Sequence, residues 1–489
     1  MFGGNCQLSI VNYSKEVNFI YNKYFVNLNR EEAVKYLLIE KHIKKLIDTN
    51  KIEDGEKLPS IREMAEFLNV NKITVVNAYK RLQAEGYAVQ KIGSGTYAKK
   101  RDINKNFNRE YSKVLKKISS NEAENYIDFT GETPSGEFFQ ISFFKSVLNE
   151  VLDRDGSSAL ICQESLGYDG LRNSISDVFW NGNIDKDDIL IVSGAQQGID
   201  VVSKAILNTN DTVIVEKPTY SGALSVFKWR RTEIIETPIE KDGINIDNLE
   251  KILKKNNVKC FYTMSYFQNP TGISYSSEKK RQILRLAEIY DFYIIEDDYL
   301  SELIYDDNIK YNSFKSLDNS DRVVYIKSFS KIFLPGIRIG YLIPPKKFKE
   351  SIQNSKINTD ISTSSLMQRA LDLYIKKGLW RNYINYLNVV YKKRYVYMKK
   401  CIDKYLKNQV DFVEPGGGLH FYLKINQDID IDSIELFRKS KNRRVLITPG
   451  TLFYKVPSEG KKYFKIGFSH VNEKNIESGI QILNELMVI

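Results

Sequence analysis

Apolar residues recur at a helical period from Arg30, where Val34, Leu37, Leu38, Ile43, Leu46 and Ile47 share one side, and Gly55 closes the unit. Ser60 and Glu63 then stand at capping-box spacing ahead of Met64, Ala65 and Leu68, which predicts a second helix. Asn71 predicts the N-cap of a third, with Val75, Ala78, Tyr79 and Leu82 turned inward and Gly86 as its stop. Residues 87–90 and 96–98 alternate around Gly93-Ser94-Gly95, the pattern of a hairpin. Residues 101–125 contain neither proline nor glycine and only one weak apolar spacing (Val114, Leu115, Ile118). They read as a charged tether with a helical turn or two.

Beyond residue 126 the pattern changes. Apolar runs at 189–192, 211–215, 260–264, 292–295 and 323–326 each precede a loop and then a helical stretch. That alternation predicts an α/β domain with a largely parallel sheet, whose ligands bind at the carboxyl ends of the strands. The expected organisation is an N-terminal extension (1–29), a winged helix-turn-helix (30–100), a linker (101–125) and a large α/β domain (126–489).

Charge sharpens the first half of that picture. The 489 residues carry 72 Lys and Arg against 61 Asp and Glu, a net charge of +11, which favours a polyanionic partner. From Lys72 to Arg101 there are seven basic residues and one acid, Glu85, the footprint of a phosphate-contacting element. There is no run of 18 apolar residues to span a membrane, and MFGGNCQLSI lacks the plan of a secretory signal. Cys6, Cys162, Cys260 and Cys401 show no metal spacing, and His42, His420 and His470 do not pair with them. A reducing, cytoplasmic setting without structural zinc or disulfides is expected.

The loops after the apolar runs hold the candidate chemistry. Ser193-Gly194-Ala195-Gln196-Gln197 opens a helix, where free amides and the positive end of the dipole suit a phosphate. Tyr220, in the turn from Glu216, offers an aromatic face to a planar ring. Asn269, in the turn Asn269-Pro270-Thr271-Gly272, can donate to a phenolate oxygen. In Glu296-Asp297-Asp298-Tyr299 the adjacent carboxylates suit a metal, or one of them a pyridinium nitrogen. Lys331 lies between Ser328 and Ser330, with Arg338 seven residues on. A lysine at the end of a buried strand beside another cation has its free amine favoured, the state that forms a Schiff base.

Two resemblances bind these pieces together. KLPSIREMAEFLNVNKITVVNAYKRLQAEGYAVQKIGSGTYA resembles the DNA-binding head of the GntR family over nearly its whole length. The resemblance implies contacts with double-stranded DNA through Arg62, through Lys72, Thr74, Asn77 and Lys80 of the recognition helix, and through the wing at Gly95. Lys72 and Asn77 stand where many members carry arginine; a lysine keeps the charge but lacks the bidentate fork that reads guanine.

From 126 to 489 the order and spacing of the loop motifs resemble the fold-type I aminotransferases, a mostly parallel sheet followed by a small C-terminal α+β subdomain. Tyr168-Asp169-Gly170-Leu171-Arg172, Gly417-Gly418-Leu419-His420 and Pro449-Gly450 fit as well. The implied cofactor is pyridoxal 5'-phosphate, with Lys331 forming the internal aldimine and Asp297 pairing with the ring nitrogen. Tyr299 and Asn269 would bond the phenolic oxygen, and Tyr220 would stack on the ring. Gly194, Ala195, Ser328 and Arg338 would hold the phosphate, with Ser330 nearby. Lys465, in Lys465-Ile466-Gly467-Phe468, stands where an arginine usually grips an amino acid's carboxylate. It is the expected partner of an effector carboxylate, without the planar two-bond grip.

Head and body together resemble the MocR subfamily of regulators. That implies a head-to-tail homodimer that senses pyridoxal phosphate, or a small amine or amino acid, and controls vitamin B6, amine or amino-acid metabolism. The alternative is an aminotransferase with an incidental basic head.

Overall fold

The computed structural model describes residues 22–26, 28, 34–48, 51–91, 93–99, 103–119, 126–161 and 164–488. Most of the 1–29 extension, Cys6, Cys162, Lys100 and Arg101 lie outside these residues. The chain divides into two compact units, 1–114 and 115–489.

The first unit holds α1 (Lys35–Asp48), α2 (Ile61–Phe67), α3 (Lys72–Ala84) and a hairpin of β1 (Ala88–Lys91) and β2 (Gly95–Ala98), paired from Ala88 with Ala98 to Lys91 with Gly95. Ser60 caps α2 as its sequence predicts. Its hydroxyl accepts from the Glu63 amide at 3.2 Å, and Glu63 returns a bond to the Ser60 amide at 2.8 Å. Asn71 caps α3 through the Ile73 amide. The stripe on α1 is narrower than its apolar period predicts. Ile39, Ile43, Leu46 and Ile47 are buried, whereas Val34 precedes the helix and is exposed with Leu37. Tyr24, from the extension, is buried in the same core.

The tether expected at 101–125 is in large part a 17-residue helix, α4 (Ile103–Ser119). Phe107 and Tyr111, one turn apart, are buried on it with ring centroids 5.8 Å apart. Two aromatic anchors at i and i+4 outweigh the polar composition.

The second unit is built on an eight-stranded sheet of β4 (Leu190–Val192), β5 (Thr212–Lys217), β6 (Glu233–Glu240), β7 (Gly243–Ile244), β8 (Val258–Thr263), β9 (Tyr293–Asp298), β10 (Val323–Ser328) and β11 (Gly340–Ile343). The spatial order is β4-β11-β10-β9-β8-β5-β6-β7. Neighbours from β10 through β9, β8 and β5 to β6 pair in parallel. Strand β11 runs antiparallel to both β10 and β4, so β4 points the same way as the parallel set. The five sequence-predicted runs are β4, β5, β8, β9 and β10, and each is buried along almost its whole length, as a sheet covered on both faces requires.

Strand β3 (Ile127–Asp128) opens the unit and pairs with β14 (Val445–Leu446). The C-terminal part is a second sheet of β12 (Val410–Phe412), β13 (His420–Ile425), β16 (Tyr463–Gly467) and β15 (Thr448–Pro449). Among the described residues no helix is long and apolar enough to cross a membrane.

Candidate functional site

Because β4, β5, β8, β9 and β10 run the same way, the loops leaving their carboxyl ends meet on one edge of the sheet. They enclose a cavity of about 180 Å³. Ala195 and Gln196 line it from beyond β4, Tyr220 from beyond β5, and Met264 and Asn269 from beyond β8. Asp297 and Tyr299 come from β9 and its loop, and Ser328, Ser330, Lys331, Pro335 and Arg338 from β10 and the turns that follow. Thr133 enters from the start of the unit. Gly194 abuts the same space with φ +91°, and a Cβ there would lie 3.1 Å from Arg338 Nη2 and 3.4 Å from Ser330 Oγ. Ala195 is the first residue of the helix Ala195–Ile206, whose leading amides face this end of the cavity. Arg338 donates to the Ser193 carbonyl at 2.8 Å, and Tyr220 donates to Gln196 Oε1 at 3.2 Å.

The two adjacent carboxylates on β9 fall on opposite faces and have opposite fates. Asp298 accepts from Lys327, Tyr325 and Ser301. Burial pushes its carboxyl up, but the Lys327 charge and these bonds win and hold it below its ordinary range. Asp297 accepts at Oδ2 from the Tyr262 hydroxyl at 2.7 Å. Its Oδ1 is buried and, among the described residues, meets no hydrogen-bond partner. Burial pushes the Asp297 carboxyl up to about 6, against the pull of the Tyr262 bond.

Lys331 departs from its expected charge state. Burial does pull its ammonium down, but the facing groups Glu132, Tyr220 and Asp297 push harder, and the net direction is upward. Its Nζ donates to Glu132 Oε2 at 2.9 Å, and its side chain keeps 30% of its exposure. A carboxylate 199 positions earlier in the chain therefore holds Lys331 as a cation.

Glu132 also changes the assignments of Lys465 and Asn269. Lys465, on β16 and buried, forms an ion pair with Glu132 Oε1 and donates to Asn269 Oδ1 at 3.1 Å. Asn269 in turn donates to Glu132 Oε1 at 3.3 Å. Burial raises the Glu132 carboxyl, but Lys331 and Lys465 outweigh it and hold the group well below the usual carboxylate range. The cation expected to meet an effector carboxylate thus meets one supplied by the chain. Tyr299 likewise donates its hydroxyl hydrogen bond to the Phe267 carbonyl at 2.5 Å, which leaves its oxygen to act as an acceptor.

Glu132, Thr133 and Tyr262 escaped the reading of the sequence. Thr-Gly-Glu-Thr-Pro has no spacing relation to the later loops, and Tyr262 is one of 31 tyrosines inside an apolar run. Alternation along β8 was the one usable signal for Tyr262, since it places that residue on the face opposite Phe261.

The first unit carries the second candidate surface. Arg62 on α2, Lys72 and Lys80 on α3, and Gly95 at the hairpin are exposed, while Thr74 and Asn77 are half-buried on α3. Gly95 has φ +122°, a backbone conformation that favours glycine at the wing turn, whereas the nearest atom to a Cβ there, Lys57 Cε at 2.9 Å, is the end of a flexible side chain. Arg81, also exposed on α3, is engaged within the head instead: its Nε donates to the buried Glu40 carboxylate, which also pairs with Lys44.

Comparison with known proteins agrees with both halves. Residues 133–483 match the model of aminotransferase class I and II, and residues 35–98 match that of the bacterial regulatory proteins of the gntR family. The aromatic-amino-acid aminotransferase 1 of Thermococcus litoralis is 29% identical over 77% of this chain and 90% of its own length. The HTH-type transcriptional regulator YdfD of Bacillus subtilis, itself uncharacterised, is 27% identical over 91% of this chain and 95% of its own. The crystal structure of the Pyrococcus horikoshii kynurenine aminotransferase superposes with a TM-score of 0.72 at 30% identity, covering 78% of this chain and 94% of that one. The chain belongs to the aminotransferase class I and II family, carries a gntR-type DNA-binding head, and has the MocR-like architecture of a pyridoxal-phosphate-dependent transcriptional regulator.

Proposed function

We propose that ligand exchange at Lys331 biases this regulator between two states of different DNA affinity. The observation that carries the reading is Asp297 Oδ1, a buried carboxylate oxygen without a partner among the described residues, on a residue that lines the same cavity as Lys331. Such an atom is costly unless something brings it a proton, and the ring nitrogen of pyridoxal 5'-phosphate is a donor of that kind. When bound, the cofactor supplies an aldehyde that condenses reversibly with primary amines.

The chain's own groups have matching roles. Asp297 would keep the ring nitrogen protonated, Tyr220 would offer its face to the ring, and Asn269 and Tyr299 would serve its phenolic oxygen. Gly194, Ala195, Ser328, Ser330 and Arg338 would hold the phosphate through amides, hydroxyls and a guanidinium. In the head, Arg62, Lys72, Thr74, Asn77, Lys80 and the turn at Gly95 contact DNA. The reading includes a head-to-tail homodimer and an amine or amino-acid effector, with vitamin B6, amine or amino-acid metabolism as the field of action. Exposed apolar side chains on the second unit, Trp229 at 88% and Ile141 at 72%, are suited to burial between copies.

Gel shifts on the chain's own upstream DNA, with and without pyridoxal phosphate, test the proposal. Cofactor-dependent, sequence-specific binding in the wild type and cofactor-independent binding in Lys331→Ala are expected. Equal binding of the wild type in both conditions, or no specific binding at moderate salt, overturns it.

The likeness to aminotransferases keeps a second reading in play, an enzyme with an accessory head. Sustained turnover of an amino donor with a keto acceptor at about 1 per second or faster would favour it.

A further inference from the structure

Next to Thr133, Asn269 and Lys331 of the cavity lining, Glu132 ties together two cations, Lys331 and Lys465. One oxygen faces Lys331 at 2.9 Å, and the other is paired with Lys465. Asn269 closes the set, accepting from Lys465 and donating to Glu132. The arrangement is built rather than adventitious. Lys465 projects from β16 inside the C-terminal sheet, paired with Tyr422 on β13 and Thr448 on β15 and backed by the Phe453 ring at 5.0 Å from its Nζ. His420 Nε2 lies 2.9 Å from the Pro270 carbonyl, and burial pulls its imidazole down to about 3, so it brings no charge to the cluster.

From this geometry we infer that Glu132 sets the ligand class: it occupies the place of a ligand carboxylate at Lys465, and the site takes primary amines that carry no α-carboxylate. The inference rests on the reading of Lys331 as the residue that binds the cofactor.

Two consequences of charge support it. Lys465 and Asn269, the groups that would otherwise grip a carboxylate, are already satisfied from within, so an amino acid must either displace Glu132 or bring a second anion against it. Like charges in close approach inside a partly desolvated site are strongly disfavoured. The opposite holds for a protonated amine. Once Lys331 is engaged with the cofactor, the Glu132 oxygen that now faces its nitrogen becomes available to an incoming ammonium. Glu132 is then a specificity-determining residue that attracts the amine and repels the acid.

Matched ligands that differ only in the carboxylate test this. Holoprotein is titrated with phenethylamine and with phenylalanine, and with ethylamine and alanine, following the visible band of the bound cofactor and the heat of binding. The wild type is expected to bind each amine at least about tenfold more tightly than its amino acid, and Glu132→Gln to shrink that ratio by about tenfold or more. Removing a carboxylate from between two lysines can destabilise the protein. Glu132→Gln with Lys465→Met, which removes the stranded cation, is therefore run in parallel and is expected to lose the preference as well. Wild-type preference for the amino acids, binding of neither class, or an unchanged ratio in a variant that still loads cofactor overturns the inference. Failure of the wild type to load cofactor at Lys331 sinks the reading beneath it instead, so the two failures are distinguishable.

Discussion

Among single residues of the cavity, Asp297 carries a pH signature. Its folded value, about 6, lies above the ordinary 3.8, so folding favours its protonated form. The stability associated with that proton is therefore present below about pH 4 and lost as pH rises to about 6. The apo protein carries a penalty of roughly 3 kcal/mol above that range, taking about 1.4 kcal/mol per pH unit. Asp297→Asn should lessen this slope in melting curves taken from pH 4 to 7, leaving the part due to Glu216, whose carboxyl burial pushes up to about 7, and should weaken cofactor binding at pH 7.5. A mutant that keeps the wild-type slope would show that another group titrates there. Gly194→Ala is a sharper steric probe. It forces φ +91° on a residue with a Cβ and drives that carbon toward Arg338, at a cost of roughly 1–3 kcal/mol. Cofactor affinity should fall with it, and cofactor-dependent DNA binding should then require a higher concentration of pyridoxal phosphate.

Among elements, α2 and α3 depend on their caps. Ser60→Ala removes one reciprocal bond of the box and should cost about 1 kcal/mol, read as earlier melting of the head alone. Lys72→Ala and Lys80→Ala, at exposed positions on α3, should each lower the slope of log affinity against log salt by about one without changing sequence preference.

The same scale shows what the sequence made legible. Strands β5, β8, β9 and β10 are apolar runs ending in loops, so their order exposed the site: Asp297, Lys331, Tyr220 and Asn269 are all where those loops lead. Strands β6 and β11 were missed because neither is a bare apolar run: β6 alternates with acids, and β11 follows directly on the turn at Arg338. Helix α4 was missed because its buried residues, Phe107 and Tyr111, were not counted in its period. Glu132 was illegible for a different reason. Its role is fixed by two lysines that only the folded chain brings near, and no local pattern encodes such a meeting.

At the scale of the whole molecule, the two units have separate hydrophobic cores. Calorimetry should accordingly show two transitions, the larger moving upward with added pyridoxal phosphate and the smaller unmoved by it. A single transition shifted as one would mean that the units unfold together. Light scattering should return the mass of two chains.

The span between Glu132 and Lys465 also has a consequence in time. The two are 333 residues apart, and a ribosome adding about 5–20 residues per second takes tens of seconds to cover that distance. The head at 35–98, whose contacts are local, is complete long before. Each newly made molecule thus passes through an interval in which the part that reads DNA is finished and the part that reads metabolites is not. Shortening or slowing that interval changes how soon a new molecule can answer its ligand.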